Sequence, residues 1–245
     1  MDNIFREEIS QGWLHIYMDN AIIVTEANKE NHAKKVHHFL NKLAMHNLYL
    51  KPEKCWFHQQ EVKYLGVIIG QGKVKMDLVK VEGVSQWPVP STVKEVRSFL
   101  GFCNFYWAFI PKFLDIILPL NDLTKKTQQW SWEEHEENTF LMLKEACVSN
   151  YVLRTPDWTK PFIMETDASN FAMSAIIMQD HEDGRHPVAF HSCSFLPAER
   201  HYDTHDKELG GIVFGFKSAR PLLLGASHPI QVHTNHSNLQ YFQHP

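Results

Sequence analysis

Residues 161–234 constrain the fold more than any other stretch. Three apolar, β-rich runs, 161–167, 171–179 and 186–194, follow one another closely. The polar segment 180–185, Asp-His-Glu-Asp-Gly-Arg, reads as the turn before the third run. A helical pattern over about 204–220 and a strand at 229–234 complete the series. The order strand–strand–strand–helix–strand requires a mixed sheet with a helix packed on it.

The first of these runs ends unusually for a buried strand. Phe162, Ile163 and Met164 lead directly into Glu165 and Asp167. Glu208 falls early in the following helix, and the last strand ends with Thr234, Asn235 and His236. If the first and last strands are neighbours, Asp167, Glu208 and position 235 converge on one sheet edge. Carboxylates gathered in this way repel one another unless a cation lies among them. Mg²⁺ prefers such hard oxygen ligands, and a pair of ions would activate water and stabilise the leaving group of a phosphodiester. Pattern alone also accommodates Asp167 as a turn acid and Glu208 as a solvated helix residue, and that is the simpler reading.

The N-terminal part has a different texture. Residues 13–26 read as two short strands around a tight turn at Met18-Asp19-Asn20. Residues 29–46 read as an amphipathic helix capped by Asn28, with Ala33, Val36, Phe39, Leu40, Leu43 and Ala44 on one face. Residues 61–76 read as a hairpin turning at Gly70-Gln71-Gly72. A short helix over 77–86 stops at Trp87-Pro88-Val89-Pro90. Ser91 or Thr92 then caps a longer helix that runs through residue 110, and a further helix spans 133–149 with acids in its first turn. The helically spaced Phe99, Phe102, Phe105, Tyr106 and Phe109 read as core rather than as a base-stacking platform.

Charge divides the chain. Residues 1–126 hold 16 Lys and Arg against 13 Asp and Glu, and residues 127–245 hold 8 against 15. A mildly basic half can lie along a phosphate backbone, although solvated surface explains a balance of +3 as well. Four scattered cysteines with no C-x-x-C pair argue against a structural zinc site or a disulfide scaffold and fit an intracellular setting. No apolar run reaches the ~18 residues of a membrane helix, and the first ten residues lack the apolar core of a secretory signal. His201 and His205, beside Asp203 and Asp206, have the spacing of two zinc ligands on a helix, but no third soft ligand completes a site.

Nine segments in order carry a resemblance. They are YMDN (17–20), LYLKPEKCWF (48–57), VKYLGVII (62–69), VRSFLGFCNFYWAFIPKF (96–113), PLNDLTKK (119–126), PFIMETDAS (161–169), HPVAFHS (186–192), AERHYDTHDKEL (198–209) and VHTNHSNLQYF (232–242). Over nearly its whole length the chain resembles the reverse transcriptase–RNase H segment of Ty3/gypsy-class retrotransposon polyproteins. The resemblance implies an α/β (α+β) chain in three parts. These are the C-terminal part of a polymerase palm over 1–76, a helical thumb and connection over 77–155, and an RNase H-like mixed sheet with helices over 156–245, truncated at its C-terminus.

Site residues follow from the same resemblance. Asp167 and Glu208 match metal-binding acids of RNase H, with Mg²⁺ or Mn²⁺ as the implied cofactor. Asn235 stands where the family has a third acid, and a fourth is expected beyond residue 245. Asp19 and Asn20 stand where the palm has two adjacent acids, with another expected upstream of residue 1. Asn in place of Asp keeps the shape but removes a full negative charge, so polymerase activity is expected to be lost and hybrid cleavage weakened or lost. Trp107 and Ala108 replace basic residues that often follow this thumb motif. Lys51, Lys54, Lys63, Lys73 and Lys75, with His236, are the candidate nucleic-acid contacts. The expected partner is an RNA–DNA hybrid or RNA, with no membrane. The rival readings are a surviving metal-dependent ribonuclease (an endonuclease-type hydrolase) and a non-enzymatic module recruited by a protein partner.

Overall fold

Asn28 opens the longest described helix. Its Oδ1 accepts from the N–H of Glu30 at 3.0 Å and of Asn31 at 3.1 Å, which satisfies two donors that a helix start leaves unpaired. The computed structural model describes residues 1–26, 28–149 and 152–234. The chain divides into two compact units, residues 1–71 and 72–245.

The first unit contains α1 (Arg6–Ser10), β1 (Leu14–Tyr17), β2 (Asn20–Ile23), α2 (Lys29–Met45), β3 (Glu61–Tyr64) and β4 (Val67–Gly70). β1 and β2 pair antiparallel around Met18-Asp19, as the turn residues require. α2 buries Phe39 and Leu43 against Phe5, Trp13 and Leu14, while Ala44, expected on that face, is exposed. The single hairpin expected over 61–76 is corrected. Leu65 (φ 48°) and Gly66 (φ 83°) make a turn of their own, and β3 pairs antiparallel with β4 across it. Two successive positive φ values are what a two-residue hairpin turn matching strand twist demands.

The second unit begins with β5 (Lys73–Met76), α3 (Leu78–Ser85), α4 (Val93–Phe105), α5 (Phe113–Leu123) and α6 (Glu134–Val148). Thr92 is the cap of α4, and its Oγ1 accepts from the N–H of Glu95 at 3.3 Å. α4 does not run to residue 110. It ends at Phe105, and Trp107–Phe109 form a 3₁₀ turn. α5, which the sequence pattern did not reveal, starts after Lys112 in the left-handed region (φ 52°, ψ 32°) and contains Pro119. Both features are unfavourable for a helix taken alone. Phe99, Phe113, Phe140 and Leu143 anchor the helical core. Phe99, Tyr106 and Phe109 are buried, as the core reading of the aromatic series requires, but Phe105 is 57% exposed. It lies about half a turn round α4 from Val96 and Cys103.

The remaining elements are β6 (Leu153–Arg154), β7 (Ile163–Ala168), β8 (Ala172–His181), β9 (Gly184–Ser194), α7 (Thr204–Ser218), α8 (Arg220–Leu223) and β10 (Gln231–Thr234). β6 pairs antiparallel with β5. The larger sheet has the order β10-β7-β8-β9, with β10 parallel to β7 and the other pairs antiparallel. The turn expected over 180–185 is only Glu182-Asp183, because the strands continue to His181 and resume at Gly184. Gly184 (φ 117°) makes that short connection possible. α7 crosses the sheet at Gly215. A Cβ there would lie 2.6 Å from Met164 Sδ and 3.1 Å from Ala175 Cβ.

Candidate metal centre

Asp167 is the next-to-last residue of β7, and Thr234 ends β10 directly opposite Thr166. The first and last strands are therefore neighbours, and their C-terminal ends lie side by side. Alternation turns Met164 and Thr166 toward α7, where they approach Gly215 and Gly211, and turns Asp167 to the other face. Glu208 belongs to the second turn of α7 and is 5% exposed. Its Oε2 accepts a hydrogen bond from Thr234 Oγ1 at 3.0 Å. Thr166 Oγ1 is buried there and makes no hydrogen bond among the described residues.

The helical region also reaches this edge. Lys112 Nζ donates to Asp167 Oδ2 at 2.5 Å. Three residues on, Asp115 Oδ1 accepts from Ser169 Oγ at 2.6 Å, and the same hydroxyl receives the N–H groups of Phe171 and Ala172. The Lys112 amine is raised above its ordinary pKa, first by the bond to Asp167. Burial opposes that shift, and attraction to Asp167, Asp115 and Glu165 adds to it. The Asp115 carboxyl is pushed up by burial, against the Ser169 bond and Lys112, with repulsion from Asp167 raising it further.

Asp167 lies at the end of β7, and Glu208 is held by Thr234 at the end of the adjacent β10. Carboxylates and threonine hydroxyls are by type the hard-oxygen donors that a divalent cation such as Mg²⁺ takes. The orphaned Thr166 hydroxyl is a further polar atom in the same place. The residues present fit a metal, with the Lys112 ammonium as the opposing element.

The other candidates are dispersed. Asn235 and His236 lie outside the described residues. Asp19 and Asn20 are exposed at the β1–β2 turn, with Asn20 Nδ2 donating to Asp19 Oδ1 at 3.4 Å. Lys51, Lys54 and Lys63 are exposed in the first unit, whereas Lys73 and Lys75 are half-buried on β5 in the second. His201 and His205 do not share a helix face, because His201 ends a 3₁₀ turn and His205 lies in the first turn of α7. Asp203, His205 and Asp206 instead bring one ligand atom each within 4.8 Å of one another, fully on the surface.

Four participants escaped the sequence reading: Lys112, Asp115, Ser169 and Thr234. Ser169 and Thr234 flank the acidic motifs directly, so proximity in sequence was a usable signal. Lys112 and Asp115 had none, since each partner is more than 50 residues away. Cys103 and Cys147, distant in sequence, meet in the helical core as free thiols, and their hydrogen bond followed by burial pushes the Cys103 thiol up.

Comparison with known proteins identifies the class of chain to which this hairpin, helical middle and mixed sheet belong. The family model described as reverse transcriptase (RNA-dependent DNA polymerase) matches residues 1–69. The RNase H-like domain found in reverse transcriptase matches residues 132–232. The Tf2-7 and Tf2-8 transposon polyproteins of Schizosaccharomyces pombe (strain 972 / ATCC 24843) are each 35% identical over 238 residues. That alignment covers 97% of this chain and 18% of theirs. A foamy viral protease-reverse transcriptase dRH in complex with double-stranded DNA has a similar fold, with TM-score 0.79 and 23% identity over 99% of this chain and 42% of that one. The foamy viral protease-reverse transcriptase with an RNA/DNA hybrid gives a TM-score of 0.77 at 23% identity, over 99% of this chain and 32% of that one. The chain belongs to the reverse transcriptase–RNase H family. Its Tf2 relatives are polyproteins of Ty3/gypsy-type transposons, and the chain spans about a fifth of the length of those it matches.

Proposed function

We propose that this segment engages an RNA–DNA hybrid through its RNase H-like sheet, that its hybrid cleavage is weakened, and that its palm hairpin no longer supports polymerisation. The observation that carries the reading is the parallel pairing of β7 with β10, which sets Asp167, one residue past Thr166, at a strand end beside the one whose Thr234 bonds to Glu208 immediately before Asn235. Asp167 and Glu208 would hold Mg²⁺ or Mn²⁺, which when bound supplies an activated water and charge stabilisation on a phosphodiester.

The chain's own residues limit that chemistry. Asn235 offers a neutral amide where two acids already require a third anionic ligand. Lys112 neutralises Asp167 from the opposite side. In the palm, Asn20 leaves Asp19 as the single carboxylate of its turn, and Asn20 donates to Asp19 instead of sharing a cation with it. Exposed Lys51, Lys54 and Lys63, together with Lys73 and Lys75, supply the phosphate contacts in this reading. An intracellular setting belongs to the same reading, on the four free cysteines that a reducing compartment accommodates.

The test is release of labelled RNA fragments from an RNA–DNA hybrid in Mg²⁺ and in Mn²⁺, comparing the chain with Asp167→Asn and Asn235→Asp. Slow cleavage that falls with the first substitution and rises with the second supports the reading. Robust cleavage by the unmodified chain, abolished by Asp167→Asn, overturns the weakened-nuclease part. Mg²⁺-dependent primer extension on an RNA template overturns the polymerase part.

A further inference from the structure

The first of the two acids already has a cation. Lys112 Nζ lies 2.5 Å from Asp167 Oδ2, the separation of a charge-assisted hydrogen bond. Three features make this a built contact rather than a chance surface pair. Lys112 holds a left-handed backbone conformation, φ 52° and ψ 32°, which a side chain with a Cβ rarely adopts without support. It stands at the N-cap of α5, so its direction is tied to that helix. The first turn of α5 is in turn fastened to the β7–β8 connection by the bond from Ser169 Oγ to Asp115 Oδ1 at 2.6 Å. Asp115 and Glu165 add negative charge around the amine, so the ammonium is attracted to this edge and not only to one oxygen.

We infer that Lys112 is an internal counter-ion that competes with a divalent cation for Asp167 and so sets the metal affinity of the centre. The inference rests on the reading of Asp167 as a metal ligand. One carboxylate oxygen cannot serve an ammonium and a divalent ion at full strength together, and the two positive charges repel at this distance. Metal entry at Oδ2 therefore requires the Lys112 side chain to leave that oxygen, and entry at the other carboxylate oxygen still meets the repulsion of the nearby ammonium. The side chain has room to leave, being 52% exposed, against 27% for Asp167. A phosphate of a bound nucleic acid would be an alternative partner for the displaced ammonium, but metal binding alone suffices to reveal the competition.

The experiment is Mn²⁺ titration of the full 245-residue chain by calorimetry, with free Mn²⁺ followed in parallel by electron paramagnetic resonance. The variants are Lys112→Met, Lys112→Arg, Asp167→Asn and the double variant Lys112→Met/Asp167→Asn. Lys112→Met is expected to tighten Mn²⁺ binding about tenfold, because it removes both the competitor and a like charge. Lys112→Arg keeps the charge and is expected to stay near the unmodified affinity. The double variant is expected to lose the gain, which ties it to Asp167. Unchanged or weaker binding in Lys112→Met, with binding still sensitive to Asp167→Asn, overturns the competition while leaving the metal centre standing. Binding insensitive to Asp167→Asn overturns the metal centre itself and the inference with it. Circular dichroism of each variant separates these results from misfolding.

Discussion

The ammonium of Lys112 and the Oδ2 of Asp167 lie 2.5 Å apart although 55 positions separate them in sequence. The pair joins the start of α5 to the end of β7, and it places a positive charge on the acid that the nuclease reading assigns to a metal. Because Lys112 is half exposed, the pair contributes little to folding. A double-mutant cycle with Lys112→Met and Asp167→Asn, read by urea denaturation, should give a coupling below about 1 kcal/mol. A coupling several times larger would mean that the pair is a structural clamp.

Glu8 is the opposite case. Its side chain is 3% exposed in the first unit, and Oε1 receives Lys42 Nζ at 2.5 Å and His38 Nε2 at 2.7 Å. Burial pushes its carboxyl up, but the bonds from Lys42 and His38 outweigh burial and hold the pKa at about 2, below its ordinary 4.5. A depressed folded-state value means stability that is fully present above pH 4.5. It is lost as pH falls from there toward about 2. Acid unfolding followed by hydrogen exchange in α2 should show this loss, and Glu8→Gln should flatten it. Lys42→Met leaves the carboxylate buried with less compensation and should cost about 3 kcal/mol.

Two glycines of one helix should answer oppositely to the same substitution. At Gly215 a new Cβ meets Met164 Sδ at 2.6 Å and Ala175 Cβ at 3.1 Å, whereas at Gly211 nothing lies closer than 3.9 Å. Gly215→Ala should lose about 1–3 kcal/mol through overpacking. Gly211→Ala should be neutral or gain up to about 1 kcal/mol from helix propensity. Thermal denaturation of the two variants checks the contrast, and equal losses would refute the packing account.

The cap of α2 gives a local test. Asn28→Ala removes the acceptor for two N–H groups and should cost about 1 kcal/mol, while Asn28→Ser or Asn28→Asp should restore most of it. The measurement is exchange protection in the first turn of α2.

Much of the local structure was legible in the sequence, because its causes lie within a few residues. Asn28 announces α2, Thr92 announces α4, and the apolar runs of 161–194 announce three consecutive strands. The candidate acids were singled out for a related reason: a carboxylate closing an apolar strand is visible as a sequence pattern, and the ordered motifs gave it a proposed meaning. α5 was not legible, since a left-handed Lys112 and an internal Pro119 both argue locally against a helix, and only burial of Phe113, Leu120 and Leu123 in the helical core outweighs them.

Sequence by itself determined the family, most of the elements, and Asp167 and Glu208 as the acids of interest. Tertiary structure alone decided that β10 lies parallel beside β7, that Thr234 holds Glu208, that Cys103 meets Cys147, and that Lys112 reaches Asp167. The physical reason is range. Capping, alternation and turn chemistry act between residues a few positions apart, whereas pairing across 26 or 55 positions depends on which surfaces pack together once the chain has closed. The acids could be read in order along the chain. Their neighbours, which set what those acids can bind, come from packing.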